Sequence, residues 1–190
     1  KKLSGFTDFE IALSLMRDAG IKEDIYLAEN ILNSFAAKLE KILAKNPPEL
    51  LGDIQNTLEF TESSVNFVNS IGTGNFMSGA IVKLKSAGIY DFFQNSKFHV
   101  ASSVLWNRDD IIQSAAEACP DSLNLVIGDS PRDISSAHFS GLPVLAVASG
   151  QHTFEELSSL TCMLLIKILQ LRDPKLVEHD SRKCRHSQPG

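Results

Sequence analysis

The apolar pattern of this chain changes period near residue 65, and that change limits the folds open to it. Before it, apolar residues recur three and four positions apart, the spacing of one helix face. After it, short apolar runs alternate with helical stretches, the pattern of parallel strands joined by crossover helices. Thr7-Asp8-Phe9-Glu10 reads as a capping box, followed by Ala12, Leu15, Met16 and Ala19 at helical spacing and Gly20 as a stop. Ile25, Ala28, Leu32, Phe35, Leu39 and Ile42 predict a longer helix that Pro47-Pro48 ends, the two helices forming an antiparallel pair. Leu50, Ile54 and Leu58 predict a third helix within 49–64.

From residue 65 the sequence predicts an irregular strand over 65–71, a helix over 79–87, a short strand at 98–100 and a helix over 108–119. A buried strand within 123–128 follows, then a helix through Ile134, Ala137 and His138 to Gly141, a strand over 142–148, a helix over 154–160 and a last strand over 162–166. The expected organisation is a helical subdomain over 1–64, an α/β core over 65–172 and a loose polar tail over 173–190. The tail's Arg182-Lys183-Cys184-Arg185-His186 run reads as a solvated end.

At 190 residues the chain is long enough to bury a proper core. Its net charge of −5 argues against a general nucleic-acid binder, which needs basic surface against phosphates. Three widely spaced cysteines suit a reducing compartment, and neither a membrane-length apolar run nor a secretory leader is seen, so a cytoplasmic location without membrane contact is expected. The composition carries no signal of oligomeric state.

Three places hold candidate chemistry, each near the end of an expected strand. Gly128-Asp129-Ser130-Pro131-Arg132-Asp133 places Asp129 at a strand's carboxyl end and Asp133 in the first turn of a helix that Pro131 suits at its first position. Two carboxylates there could hold a hard cation such as Mg²⁺; equally, Asp133 could complement the helix dipole and Asp129 make a turn. Thr73-Gly74-Asn75 offers a hydroxyl, an amide and glycine-exposed N–H groups to a phosphate oxygen, or is simply a glycine-rich turn. Arg108 opens a helix after a strand and could bind phosphate through its fork, or be a surface arginine.

In order and spacing these segments resemble motifs of the haloacid-dehalogenase-like hydrolases, specifically phosphoglycolate-phosphatase-like members with a helical cap. Thr73-Gly74-Asn75, with Lys83-Leu84 and Gly88 downstream, matches the second motif, Arg108 the third, and Gly128-Asp129 through Asp133 the fourth. Gly141-Leu142-Pro143-Val144 and Val147-Ala148-Ser149-Gly150 resemble the strand that follows, and Gly5-Phe6-Thr7-Asp8 a Gly-Arg-Thr-Asp segment that opens the cap, with Phe6 in place of arginine. The resemblance spans about residues 4–160 and implies a Rossmann-like parallel sheet with an N-terminal α-helical cap. It also implies Mg²⁺-dependent hydrolysis of a small phosphorylated metabolite. Asp129 would then ligate the metal and Asp133 ligate it or orient it. Thr73, with the Gly74 and Asn75 N–H groups, would bind a phosphate oxygen, and Arg108 would neutralise charge on the phosphate.

The resemblance implies a nucleophile that is an aspartate in an Asp-x-Asp motif ending the first, central strand. No Asp-x-Asp occurs in these residues, and Asp8-Phe9-Glu10 begins a helix rather than ending a strand. The sheet is therefore expected to lack its first central strand. The chain starts Lys1-Lys2-Leu3 without methionine, so a piece of a longer protein or the product of a truncated gene is expected. Hydrolysis through an aspartyl-phosphate is not expected from these residues alone; the alternative function is a non-catalytic phosphate- or protein-binding module. A receiver-like or nucleotide-binding module fits less well, since neither Gly-x-Gly-x-x-Gly nor a P-loop is present.

Overall fold

The computed structural model describes residues 5–93 and 98–160 and the backbone of a last strand, Leu165–Ile166. The expected tail over 173–190 lies outside the described residues. The chain divides into two compact units, Lys1–Asp121 and Ser122–Gly190.

The first unit opens with α1 (Asp8–Asp18), α2 (Ile25–Leu43) and α3 (Ile54–Glu62). The capping box at α1 forms as expected: Glu10 N–H donates to Thr7 Oγ1 at 3.1 Å and Thr7 N–H to Glu10 Oε2 at 2.7 Å. The face of α1 that is buried is Phe9, Ala12, Leu13 and Met16, not the expected set through Leu15, which is 57% exposed. Along α2 only Ala28, Leu32 and Ala36 are buried, while Ile25, Phe35 and Ile42 face solvent. The expected stripe is thus half used: α2 packs on α1 and α4, and Ala28, Leu32 and Ala36 are the residues it buries. It ends at Leu43 with Ala44 as cap, ahead of the proline pair.

The strand expected over 65–71 begins where it was expected to end. Val65, Phe67 and Val68 are exposed, and Ser64 turns the chain locally by accepting from the Asn66 and Phe67 N–H groups. β1 is Ile71–Phe76 and leads into α4 (Met77–Ser86), which Gly88 stops at φ +72°. A left-handed backbone there suits glycine. After β2 (Phe98–Ala101) comes α5 (Arg108–Glu117). β1 and β2 pair in parallel, Ile71 with Phe98, Gly72 with His99 and Thr73 with Val100, before the register shifts and Phe76 meets Ala101. The core joins Phe9, Ala12, Leu13, Met16, Ala28 and Leu32 to Ala101 and Ile111.

In the second unit β3 (Val126–Gly128), β4 (Val144–Val147) and β5 (Leu165–Ile166) form a parallel sheet in that order. α6 (Pro131–Phe139) and α7 (Phe154–Ser158) complete it. Ile134, Ala137, Val144, Ala146, Ala148 and Leu157 make its core. β3 is shorter than expected and is not a buried strand: Leu123 is 94%, Leu125 53% and Ile127 58% exposed. It lies at the edge of its sheet, with no second strand over it among the described residues.

Candidate functional site

The residues singled out fall into two sets, one in each unit. In the first unit, Thr73 is the last residue of regular pairing, and Gly74 and Asn75 fill the irregular step before Phe76. The segment thus belongs to β1 itself rather than to a turn after a strand over 65–71. The Asn75 N–H donates to Thr73 Oγ1 at 3.2 Å and Asn75 Nδ2 to the same oxygen at 2.7 Å. A hydroxyl has two acceptor lone pairs and one O–H. With both lone pairs taken, the Thr73 hydroxyl can act further only as a donor. Lys83 Nζ donates to Asn75 Oδ1, which orients the amide and polarises it toward Thr73.

Arg108 is brought to the same segment. Its Nη1 donates to the Gly72 carbonyl at 3.4 Å. A cation at a helix N-terminus opposes the helix dipole. Here Asp109 and Asp110 share the first turn, and the Asn107 side chain caps the helix by accepting from the Asp110 N–H at 2.9 Å.

Two further residues were not legible as site residues. Thr7 is fully buried, and its Oγ1 donates to the Trp106 carbonyl at 2.6 Å. A Cβ on Gly74 would lie 3.2 Å from Thr7 Cα, so the absence of a side chain at Gly74 lets the start of α1 close on β1. Asp8 Oδ2 accepts from the Phe76 N–H at 2.9 Å. The capping box was visible in sequence, but these contacts span 68 and 99 residues and leave no local signal.

In the second unit Asp129 follows β3 and its side chain is exposed, while Asp133 is 9% exposed in the first turn of α6. Asp133 Oδ2 accepts from Ser130 Oγ at 2.7 Å and from the Ser130 N–H at 3.2 Å, and the Asp133 N–H donates to Ser130 Oγ at 3.2 Å. This reciprocal capping box fixes the carboxylate on the turn. Two glycines leave room for the acids. A Cβ on Gly128 would overlap the Asp133 side chain, and one on Gly150 would collide with Asp129 Oδ2. Gly150 closes the β4 end in sequence, and nothing local marks it as the wall beside Asp129.

Mg²⁺ takes oxygen ligands, often one or two carboxylates with waters completing the shell. Asp129 and Asp133 have that chemistry, and Gly128 and Gly150 leave room for their side chains. They do not form a closed protein cage: no group of three or more His, Cys, Asp or Glu side chains able to hold a metal occurs among the described residues. Nor, among those residues, is any helix long and apolar enough to cross a membrane.

The fold is similar to that of several solved hydrolases and phosphatases, a haloacid dehalogenase-like family protein among them. A hydrolase from Pseudomonas syringae superposes with a TM-score of 0.59 at 20% identity, over 87% of this chain and 75% of its own. A haloacid dehalogenase-like family protein from Streptococcus pneumoniae gives 0.57 at 20% identity, over 90% and 93%. A protein from Clostridium acetobutylicum described as a predicted phosphatase gives 0.53 at 21% identity; the match covers 60% of this chain and about half, 54%, of that protein. At such identities the likeness is one of fold. No protein-family model and no curated protein sequence matches the chain.

Proposed function

We propose that the chain carries the phosphate- and metal-binding residues of a Mg²⁺-dependent phosphoric monoester hydrolase acting on a small molecule. The observation that carries this reading is the Thr73 hydroxyl, whose lone pairs are both filled by Asn75 and whose O–H is left to donate to a phosphate oxygen. Arg108, held on the Gly72 carbonyl, supplies positive charge beside the same segment. Asp129 is the metal ligand, since its exposed carboxylate takes no hydrogen bond among the described residues. Asp133, tied to Ser130, orients the turn that presents it.

Hydrolysis needs a nucleophile that these residues do not supply, as no Asp-x-Asp occurs in the sequence. β1 has one paired neighbour, β2, and β3 one, β4, among the described residues, so each has an edge able to take another strand. The purified chain is expected to bind inorganic phosphate in the presence of Mg²⁺ by calorimetry and to turn over no member of a phosphate-ester panel. Turnover that Asp129→Asn abolishes would overturn the second expectation; absence of phosphate binding would overturn the first. A second reading, a protein-binding module, is favoured by the apolar row of Leu123, Leu125 and Ile127 left exposed along the β3 segment.

A further inference from the structure

One side of α2 is covered by α1 and α4, where Ala28, Leu32 and Ala36 are buried. Beside that face Leu27, Ile31, Phe35 and Ile42 are between 39% and 57% exposed. At 3.6 residues per turn these four fall within about 80° of one another, so they form one apolar stripe along most of the helix. Scattered apolar side chains are ordinary on a surface, whereas a continuous row marks a place of contact. The charges along this stripe are divided between its ends. Asp24, the N-cap, stands at one end, where its Oδ1 accepts from the Leu27 N–H at 2.9 Å. Lys38, Lys41 and Lys45 lie toward the other, and Lys45 makes no ion pair among the described residues. The remaining charges nearby do not alter this division. Lys22 precedes the helix, and Glu23 is paired with Arg17 at 2.6 Å. Glu29 and Glu40 lie beyond the buried face, roughly 160–180° from the middle of the stripe at the same helical spacing. On α4, Lys83 is engaged by Asn75 and Lys85 by the Tyr90 ring.

We propose that this stripe is a self-association surface, covered by α2 of a second copy of the chain. The two helices run antiparallel about a two-fold axis between Ser34 and Phe35. Such an interface sets one patch against itself. In that register Leu27 of one copy meets Ile42 of the other, Ser34 meets Phe35 and Asp24 meets Lys45, each twice by symmetry. Lys38 meets Ile31, laying its alkyl stem along the stripe and keeping its ammonium in water. The charges choose the direction. A parallel pair would set Asp24 against Asp24 and Lys45 against Lys45, whereas the antiparallel pair sets each against its opposite.

The test is sedimentation equilibrium of the full chain over a range of concentrations, with far-UV circular dichroism to check that each variant folds. The chain should dimerise in the micromolar range, and Phe35→Glu should leave a monomer throughout. If Phe35→Glu does not fold, Leu27→Gln combined with Ile42→Gln takes its place. Lys45→Glu should weaken the dimer roughly tenfold, because both symmetry-related pairs become repulsive. Adding Asp24→Asn to Lys45→Glu should recover most of that loss, since asparagine removes the repulsion and still caps the helix. A chain that stays monomeric overturns the proposal, and if that monomer binds anionic lipid vesicles the stripe belongs to a membrane surface instead. A dimer that survives the stripe variants uses another face and overturns it as well. A dimer lost in Phe35→Glu but indifferent to Lys45→Glu, or not recovered by Asp24→Asn, overturns the antiparallel second copy.

Discussion

Asn75 donates twice to the Thr73 hydroxyl, from its backbone at 3.2 Å and from its amide at 2.7 Å. One residue therefore sets the direction of the other's O–H. Thr73→Val keeps the shape and removes the hydroxyl. If that hydroxyl donates to a charged phosphate oxygen, its loss should weaken phosphate binding by about 1.5–3 kcal/mol, while Thr73→Ser should retain most of the affinity. Phosphate titrations of the two variants check this. Equal affinity for valine and serine would show that the hydroxyl does not meet the ligand.

Gly74 is constrained by packing rather than by backbone freedom. Its Cβ position lies 3.2 Å from Thr7 Cα and 3.4 Å from Thr7 Cγ2. Backbone cannot swing aside as a long side chain can, so Gly74→Ala should push the start of α1 off β1. Overpacking of this kind costs about 1–3 kcal/mol, which urea unfolding resolves. At Gly72 the nearest atom is Ile112 Cδ1 at 3.0 Å, the mobile end of a side chain. Gly72→Ala is therefore expected to cost less than Gly74→Ala, and the reverse order would contradict this account.

These two neighbours show what the sequence could and could not disclose. Local chemistry was legible: both capping boxes of the site region, at Thr7 and Ser130, follow from side chains three residues apart. At Ser130 the sequence suggests a dipole partner or metal ligand in Asp133, and the structure shows that it also closes the cap. Helix faces were legible as periodicity, but which half of a stripe is covered depends on partners far along the chain. Hence Leu13 rather than Leu15 is buried, and Phe35 is left at 48% exposure. The strand before Thr73 lies later than expected because β1 is built from poor strand formers: Gly72 is held by pairing with His99 of β2, while Gly74 and Asn75 fill the register shift before Phe76. Contacts such as Asp8 with Phe76 have no local signature at all.

Thr7 is the residue on which stability and site geometry meet. Its hydroxyl accepts from the Glu10 N–H and donates to the Trp106 carbonyl at 2.6 Å, within a fully buried side chain. Thr7→Val removes an N-cap and leaves that carbonyl without its donor. The first loss is worth about 1 kcal/mol and the second about 1–3 kcal/mol. A fall of roughly 2–4 kcal/mol is a large part of the 5–15 kcal/mol typical of a folded domain. Thr7→Ser should restore most of it, because serine keeps both bonds. Chemical denaturation of the two variants distinguishes them, and equal stabilities would sink the assignment.

Substitution at Gly150 would separate the proposed metal binding from folding. A Cβ there would collide with Asp129 Oδ2, yet Asp129 is exposed and can rotate into solvent. Gly150→Ala should therefore change unfolding free energy by less than about 1 kcal/mol, the scale of a surface substitution plus modest repacking. It should nonetheless turn the Asp129 carboxylate away from the turn that Ser130 and Asp133 brace. Mg²⁺ binding, followed as the metal-dependent rise in melting temperature, should be lost in Gly150→Ala as completely as in Asp129→Asn. Ser130→Ala should act differently. It removes the α6 cap, costs about 0.5–2 kcal/mol and releases Asp133, so stability and metal response should fall together. A Gly150→Ala protein that keeps the full Mg²⁺ response would show that Asp129 does not hold the ion from the position it occupies beside that glycine.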